Sequence, residues 1–377
     1  MQLCRICNSA NSSTFLEGKC YVCEDKALAT DSMVLEAVKL LTQANATSFA
    51  ISTIIPKDWQ IREEKAFDFT LKKAESIKNL LNRTIVAGIR KARKMEYYSE
   101  GEFRVVFDYS TGQVSLQKND LFIFGRYKKL SAGLSQSRWK CPKCSRNEEQ
   151  GKPKDEKCPQ CKGKGKLYVS VEEKIGEPVK TACRAKDYVM HASGREDVDA
   201  TNSAGRPFVL EVKEPETRQF DLEALGSEIG TSGEVLVDSL RIVGRSFVEL
   251  VTESHFDKSY SAEVEFGREI GETDIIKIKE LEGKTLLQET PTRVVHRRAN
   301  LVRHRKVKQI DVTNVDGNKA TLVVKAEAGT YIKELISGDK GRTKPSIAEV
   351  LGTSAICKKL EVTKIEDEYL DFCLENQ

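Results

Sequence analysis

The sequence reads SGREDVDA at residues 193–200 and GRPFVLEV at residues 205–212. The first stretch places three acidic residues and one arginine within five positions, directly after a glycine. In the second, Phe208, Leu210 and Val212 alternate with other residues in the period of a strand that buries one face. The pattern therefore predicts an acidic loop that leads into a β-sheet. An acidic, glycine-bearing loop is also a common solvated turn, so the loop alone leaves that reading open.

A second glycine-bearing stretch, AGTYIKELI at residues 328–336, follows a strand-like run. The pattern predicts a strand, a turn at Gly329 and a helix with Thr330 as its N-cap. Such a turn would place Tyr331 and Lys333 near the end of a strand. A basic side chain at that place can keep a neighbouring buried carboxylate ionised.

These two stretches resemble motifs of the pseudouridine synthases. GRED at residues 194–197 is similar to the Gly-Arg-x-Asp loop of that family, and GTYIK at residues 329–333 is similar to its Gly-Thr-Tyr-Ile-Arg/Lys motif. Longer strings, GREDVD with GRPF, TPTRVVHRR and AGTYIKELISGDKGRTKPS, resemble the archaeal and eukaryotic branch that modifies uridines 54 and 55 in the TΨC loop of tRNA. The resemblance runs from about Leu121 to Leu360 and, more weakly, through the N-terminal third.

The composition is typical of a globular protein in water. The chain has 377 residues, enough for two domains, and its 39% hydrophobic and 31% charged content excludes a disordered chain. No apolar run approaches the roughly 18 residues that span a bilayer, and the sequence opens on a cysteine pair instead of a signal sequence. We therefore expect a cytoplasmic protein with no membrane segment.

Basic residues are concentrated in two segments, although the net charge is only +4. Residues 71–94 carry eight Lys or Arg against one acid, and residues 291–306 carry six with no acid. Such patches are typical of surfaces that bind a phosphate backbone, although a solvated helix face has the same composition. The resemblance implies tRNA as the partner, contacted at its TΨC arm by a monomeric protein. His296 lies among these basic residues, but the four histidines are scattered and none has a partner at metal or triad spacing, so we expect them to be structural.

Two cysteine quartets have the spacing of metal ligands, C-x2-C-x12-C-x2-C and C-x2-C-x13-C-x2-C. Two pairs on tight turns bring four thiolates to one tetrahedral ion, and disulfides are rare in the cytosol. We expect structural zinc, one or two ions, with reduced, metal-free cysteines as the alternative. The second quartet lies in an insert, residues 141–166, that is too polar to bury a core of its own. The predicted ligands are Cys4, Cys7, Cys20, Cys23, Cys141, Cys144, Cys158 and Cys161.

The chain is expected to divide near Asp120 into two α+β domains. Residues 1–120 mix helical and strand patterns with the first quartet, and the resemblance implies a zinc-bearing, THUMP-like RNA-binding domain. Within this part, residues 61–94 read as one helical stretch. For residues 121–377 the resemblance implies a pseudouridine synthase domain with a mixed, largely antiparallel sheet and flanking helices. There, residues 258–266 alternate as a strand does.

The resemblance implies isomerisation of uridine to pseudouridine. The enzyme must break the N-glycosidic bond, turn the freed uracil and rejoin it through C5, so no cofactor is expected for catalysis. Asp197 occupies the Asp place of the loop motif and is the implied catalytic carboxylate. Attack on C1′ and removal of the C2′ proton both remain open as its role. Lys333 would pair with Asp197 and keep it charged.

Further residues are implied in substrate binding. Tyr260, on the buried face of its strand, would stack on the uracil, although an inward tyrosine is also a common core residue. Tyr331 would bound the same pocket, and Arg195 or Arg206 would hold the backbone displaced when the nucleotide flips out. The alternative function is a non-catalytic zinc-ribbon RNA-binding protein whose acidic loop is structural. It leaves unexplained why the motif residues match in chain order.

Overall fold

In the computed structural model, the described residues are 3–7, 19–68, 75–144, 158–295 and 299–375. The chain forms two compact units. The first contains Met1–Leu121 and Lys213–Pro215, and the second contains Phe122–Val212 and Glu216–Gln377. His296, which is expected to be structural, lies outside the described residues.

The first unit is built on a four-stranded sheet of order β2-β1-β3-β4. Its strands are β1 (Ser48–Ile54), β2 (Glu96–Tyr97), β3 (Phe103–Asp108) and β4 (Gln113–Lys118). β1 runs parallel to β2 and β3, whereas β3 and β4 form an antiparallel hairpin. Alternate residues of β3, Phe103, Val105 and Phe107, are buried and give the sheet one apolar face.

The described helices of the first unit are α1 (Thr30–Gln43), α2 (Lys57–Asp68) and α3 (Ile77–Ala92). The prediction of one helical stretch over residues 61–94 is wrong. Ser76 is in an extended conformation and its side chain accepts a hydrogen bond from the backbone N–H of Asn79, so it caps a separate helix. The core-facing stripe of that helix recurs at three- and four-residue intervals and consists of Ile77, Leu80, Leu81, Ile85 and Ile89.

The second unit is built on a ten-stranded sheet of order β13-β10-β11-β12-β9-β14-β7-β5-β8, with β6 paired to β7. β14 runs parallel to β7, whereas the neighbours from β13 to β14 and the pair β5–β8 are antiparallel. The expected mixed, largely antiparallel sheet is therefore confirmed. The strands are β5 (Leu121–Lys129), β6 (Asp187–Ala192), β7 (Thr201–Lys213), β8 (Val235–Val243), β9 (Lys258–Phe266), β10 (Thr285–Glu289), β11 (Val302–Asp316), β12 (Lys319–Ala326), β13 (Thr343–Lys344) and β14 (Ala355–Ile365).

Helices flank this sheet. α4 begins with a capping box, in which Ser170 and Glu173 satisfy each other's backbone N–H groups. The described helices of the second unit are α4 (Val171–Cys183), α5 (Leu222–Gly230), α6 (Ser246–Thr252), α7 (Glu272–Lys279), α8 (Ile332–Ser337), α9 (Ile347–Leu351) and α10 (Glu368–Glu375). Within the described ranges, every helix is too short or too polar to span a bilayer.

β7 is the strand that the acidic loop leads into. Its middle is buried on both faces, because Phe208, Val209 and Leu210 are each 0% exposed. The prediction of a half-buried, alternating strand is wrong for this part, since β7 lies between β14 and β5 in the interior of the sheet. The prediction for β9 is confirmed: Tyr260 is buried on the same face as the other inward residues of that strand.

Candidate active site

The acidic loop, residues 193–200, joins β6 to β7 and lies on a buried polar network. The carboxylate of Glu196 accepts hydrogen bonds from Nε of Arg206 at 2.6 Å and from the hydroxyl of Tyr127 at 2.9 Å. Arg206 also donates from Nη1 to the carbonyl oxygen of Ser193 at 2.7 Å. A buried ion pair with these additional hydrogen bonds has its polar atoms satisfied. The network therefore fixes the first half of the loop.

Lys129, at the end of β5, fixes the main chain of the second half. Its side chain is fully buried, and Nζ donates to the carbonyl oxygens of Asp197 and Val198, each at 2.9 Å. The N–H of Gly133 donates to the carbonyl of Val198 at 2.8 Å. Burial lowers the pKa of Lys129. These contacts hold the main chain of Asp197, while Asp197 itself lines the pocket.

Asp197 lies between two cations. Its Oδ1 is 2.7 Å from Nη1 of Arg293, and its Oδ2 is 3.5 Å from Nζ of Lys333. The side chain is 29% exposed, so it can be reached from solvent. Two cations at these distances complement the negative charge of an ionised carboxylate.

Lys333 pairs more closely with Asp199 than with Asp197. Its Nζ is 2.6 and 2.7 Å from the two carboxylate oxygens of Asp199. Burial acts to raise the pKa of Asp199, but the hydrogen bond from Lys333 outweighs it and leaves that pKa below its ordinary value. The expected pair of Lys333 with Asp197 is therefore the weaker of two, and Arg293 is the principal cation beside Asp197.

Arg293 is a site residue that the sequence reasoning missed. Its Nε donates to Oε1 of Glu334 at 2.7 Å, and the Glu334 side chain on α8 is only 6% exposed. Burial acts to lower the pKa of Arg293, but Glu334 and Asp197 outweigh it and raise that pKa. Arg293 was counted among the basic residues expected to meet RNA. Its place in the TPTRVVHRR string was the available signal for a different role.

The start of α8 differs from the prediction. Tyr331 is the N-cap, and its backbone N–H and C=O pair with the side-chain amide of Gln288 at 2.9 and 3.0 Å. The predicted cap at Thr330 is wrong, because the hydroxyl of Thr330 donates backwards to the carbonyl of Glu327 at 2.7 Å. The turn itself is as predicted, since Gly329 has φ of 78°, a conformation that glycine adopts without strain.

The pocket beside Asp197 has a volume of about 230 Å³. This is smaller than the roughly 300–1,000 Å³ of pockets that enclose drug-sized ligands. It therefore suits a single ring system such as a nucleobase. The structure brings together six residues named from the sequence, which all line this pocket: Asp197, Tyr260, Tyr331, Lys333, Arg195 and Arg206.

Both tyrosines line the pocket. Tyr260 is 8% exposed, and burial raises its pKa to about 12, so its phenol stays protonated at neutral pH. The guanidinium of Arg303 lies 5.8 Å from the ring centroid of Tyr331, a cation–π contact that supports the ring. Both rings are thus positioned to contact a planar base.

The two arginines that were expected to hold the displaced RNA backbone have different surroundings. Arg206 lines the pocket but is 1% exposed, and its hydrogen bonds to Glu196 and Ser193 support the loop. The expectation that it holds a displaced backbone is therefore corrected. Arg195 is exposed, and its guanidinium lies 6.0 Å from the ring centroid of Trp139. Of the two, Arg195 can meet a phosphate.

Lys258 is a buried cation in the pocket lining that the sequence did not indicate. It is 7% exposed, and its Nζ donates to the carbonyl of Phe256 at 2.8 Å. Burial, together with the neighbouring charge of Arg206, lowers its pKa from 10.5 to about 8, against the attraction of Asp257, Asp367 and Glu196. Between these two pH values the folded protein binds fewer protons at Lys258 than the unfolded chain. Stability therefore rises with pH across this window.

Lys258→Met is expected to raise the free energy of unfolding at pH 7 by about 1–3 kcal/mol, because it removes a buried charge that folding disfavours. The gain should shrink as the pH rises from about 8 to 10.5, where the wild-type lysine becomes neutral in both states. Urea unfolding of both proteins at pH 7 and pH 10 measures this difference. A variant that is less stable than the wild type at pH 7 would contradict the assignment.

Each cysteine quartet closes around one point. In both, the four Sγ atoms lie within 4.8 Å of one another, and all eight cysteines are free thiols. The short Sγ–Sγ distances are 3.5 Å for Cys4–Cys23, 3.7 Å for Cys141–Cys158 and 3.5 Å for Cys144–Cys161. A tetrahedral ion with bonds of roughly 2.3 Å to sulfur needs sulfur atoms about 3.8 Å apart. Both quartets therefore fit a metal ion.

The second unit has an α+β fold, and the Asp197 carboxylate lies beside a base-sized pocket lined by two tyrosines. The motifs of the pseudouridine synthases predict this arrangement. The family model described as "Pus10, C-terminal" matches residues 122–366. The chain is 38% identical to the tRNA pseudouridine synthase Pus10 of Methanocaldococcus jannaschii, over 90% of this chain and 73% of that protein. The chain therefore belongs to the Pus10 family.

Two further relatives, both named tRNA pseudouridine synthase Pus10, match along nearly their full length. The protein of Korarchaeum cryptofilum is 36% identical over 95% of this chain and 96% of its own. That of Archaeoglobus fulgidus is 34% identical over 97% of this chain and 100% of its own. Among solved structures, a chain of a Cbf5–Nop10–Gar1 complex aligns with 50% of this chain and 43% of its own, at 22% identity and a TM-score of 0.32.

Proposed function

We propose that this protein is a tRNA pseudouridine synthase that isomerises uridine 55, and also uridine 54, in the TΨC arm. The observation that carries the proposal is the position of Asp197 between Arg293 and Lys333 at the edge of a base-sized pocket. The names of the curated relatives support tRNA as the substrate. A tRNA substrate and two quartets of reduced thiols favour the cytoplasm as its place of action.

The carboxylate of Asp197 starts the reaction beside the ribose. It attacks C1′ or removes the proton from C2′, and in either case uracil leaves through N1 with the electron pair of the glycosidic bond. The freed base turns in the pocket, and C5 then forms the new bond to C1′. On the first route this step displaces the Asp197 carboxylate from C1′, and on the second Asp197 returns its proton to C2′. C5 loses its proton to solvent and N1 gains one, so atoms and electrons balance without a cofactor.

The surrounding residues hold the reactants in place. Tyr260 and Tyr331, which both line the pocket, confine the free uracil and so keep C5 near C1′. Arg293 and Lys333 orient the carboxylate from two sides, and Lys129 fixes its main chain. Arg195 is positioned to hold the backbone of the flipped nucleotide, whose removal from the stack is required for access.

Two substituted tRNA transcripts test which uridines the enzyme modifies. Formation of the C5–C1′ bond releases the hydrogen at C5, so transcripts made with C5-tritiated uridine report turnover as tritium in water. When the reaction is complete, replacement of uridine 55 by cytidine is expected to remove about half of the release, and replacement of both 54 and 55 all of it. Undiminished release from the double-cytidine transcript would show that the enzyme modifies another position. Tight binding without release from any transcript would favour the non-catalytic RNA-binding protein.

The first unit, the expected THUMP-like domain, is proposed to bind the tRNA backbone. Arg90 and Lys91, in the last turn of α3, and Lys94, just beyond it, are exposed. Phosphate contacts of this kind position an RNA without reading its sequence. They allow a catalytic unit with a small pocket to act on one loop of a folded tRNA.

The triple variant Arg90→Gln/Lys91→Gln/Lys94→Gln should weaken tRNA binding. The slope of log K against log salt concentration should fall by roughly 0.7–0.9 for each lost phosphate contact. Turnover at saturating tRNA should persist, because the chemistry lies in the second unit. Exposed lysines elsewhere in the first unit, replaced in the variant Lys39→Gln/Lys57→Gln, serve as the control. An unchanged affinity and salt slope in the triple variant would show that this helix does not bind RNA.

We propose that both quartets hold structural zinc. Zinc suits four thiolates in tetrahedral geometry and takes no part in the chemistry proposed above. Metal analysis of the purified protein should find close to two zinc ions per chain. Cys4→Ser/Cys7→Ser should remove one of them and leave the second unit folded. A metal-free protein with full stability would contradict both assignments.

A further inference from the structure

An aromatic pair lies at the base of the cysteine-rich insert. The ring centroids of Trp139 and Tyr168 are 5.4 Å apart and the rings meet edge to face at 74°. Trp139 is partly exposed and Tyr168 is 39% exposed, so neither ring is enclosed in a core. The pair stands on two segments that flank the second quartet, one before Cys141 and one after Cys161.

Backbone hydrogen bonds tie these two segments together. The N–H of Leu167 donates to the carbonyl of Trp139 at 3.1 Å, and the N–H of Cys141 donates to the carbonyl of Gly165 at 2.9 Å. The N–H of Gly165 in turn donates to Sγ of Cys161 at 3.2 Å. The quartet therefore closes the end of a single antiparallel bridge between Lys140 and Lys166, and this bridge sets the spacing of the two rings.

Arg195 connects the pair to the active site. Its side chain lines the pocket beside Asp197, and its guanidinium lies 6.0 Å from the ring centroid of Trp139. A guanidinium and two aromatic rings thus run from the edge of the pocket to the insert. This surface, Arg195–Trp139–Tyr168, is called the stacking surface below.

Positive charge accompanies the stacking surface. A groove of about 350 Å³ beside Tyr168 is also lined by Lys164, and Lys162 lies two residues before it on the insert. Both lysines are exposed, and neither forms an ion pair with another residue in the described part of the chain. Their charge is therefore available to a phosphate backbone that follows the groove.

We propose that the stacking surface is a subsite for the base next to the flipped uridine in the RNA strand. The proposal rests on the function proposed above. Extruding one nucleotide leaves its neighbours without a stacking partner. Aromatic side chains and arginine planes stack on any base, and the nearby lysines suit the backbone of the same strand. The second quartet then has a role in substrate binding, because it fixes the rings that receive the neighbouring base.

A double-mutant cycle that combines the loss of one side chain with the loss of one base tests this proposal. Binding and single-turnover rates are measured for the wild type and Trp139→Ala with an intact tRNA transcript and with two transcripts that lack the base 5′ or 3′ of the target uridine. Trp139→Ala is expected to weaken binding of the intact transcript by between about fivefold and a hundredfold. Loss of one of the two neighbouring bases should weaken wild-type binding similarly. Trp139→Ala should bind the transcript that lacks this base only slightly more weakly than it binds the intact transcript.

Three controls separate the outcomes. Trp139→Phe should keep most of the affinity, because it keeps an aromatic face, and Tyr369→Ala removes an exposed tyrosine outside this surface. Metal content reports whether the insert is intact; if Trp139→Ala loses metal, Tyr168→Ala takes its place in the cycle. Independent, additive losses at both neighbouring positions would overturn the subsite. A wild type that forms no pseudouridine in the intact transcript would instead overturn the proposed function.

Discussion

Asp197→Asn should abolish turnover while the fold and the affinity for tRNA stay nearly unchanged. The substitution keeps the shape of the side chain but removes the negative charge that the chemistry at the ribose requires. We expect the rate of tritium release to fall by more than about a hundredfold, as the removal of an essential catalytic group usually causes. Residual activity above about a hundredth of the parent rate would show that the role assigned to Asp197 is wrong.

Asp199→Asn is the matched control for this variant. Asp199 lies two residues further along the same loop, its side chain is 71% exposed, and it pairs with the same lysine, Lys333. Its replacement should reduce activity far less, because Lys333 then becomes available to Asp197. If the two variants lose activity equally, the loop acts through its total charge and the assignment to one carboxylate fails.

Arg293→Leu should also cause a large loss of activity. It removes the cation at 2.7 Å from Asp197, so the carboxylate loses its strongest orienting contact. A misplaced reacting group can cost about a hundredfold in rate, and we expect a loss of that order in single-turnover tritium release. Arg293→Lys, which keeps the charge without the planar fork, should recover part of it.

The same substitution leaves the buried carboxylate of Glu334 without its ion-pair partner, so its effect on stability must be separated from its effect on catalysis. The double variant Arg293→Leu/Glu334→Leu removes both partners and should regain the stability that the single variant loses. It should remain as inactive as Arg293→Leu. A stable double variant with wild-type activity would show that Arg293 has no part in orienting Asp197.

Local patterns predicted much of this structure. The alternation in residues 258–266 predicted β9 and the inward position of Tyr260. The cysteine spacings predicted two quartets that do converge. In each case a period or a fixed spacing within a short segment carries the information.

Contacts between distant segments could not be predicted in this way. The approach of Arg293 to Asp197 depends on how β7, α8 and the segment before β11 meet, and no local period encodes it. The covering of both faces of β7 depends on its place inside the sheet, and burial of Arg206 follows from the same place. The break before α3 had a local signal, since Ser76 is a good N-cap residue, but the continuing helical pattern obscured it.

Asp197 and its pocket are proposed to convert uridine to pseudouridine in tRNA. The most direct test is carbodiimide-based mapping of pseudouridine in an unmodified tRNA transcript after incubation with the wild type or with Asp197→Asn. The account predicts pseudouridine at position 55, and also at 54, with the wild type and none with the variant. A wild-type protein that binds the transcript but leaves every uridine unchanged would contradict it.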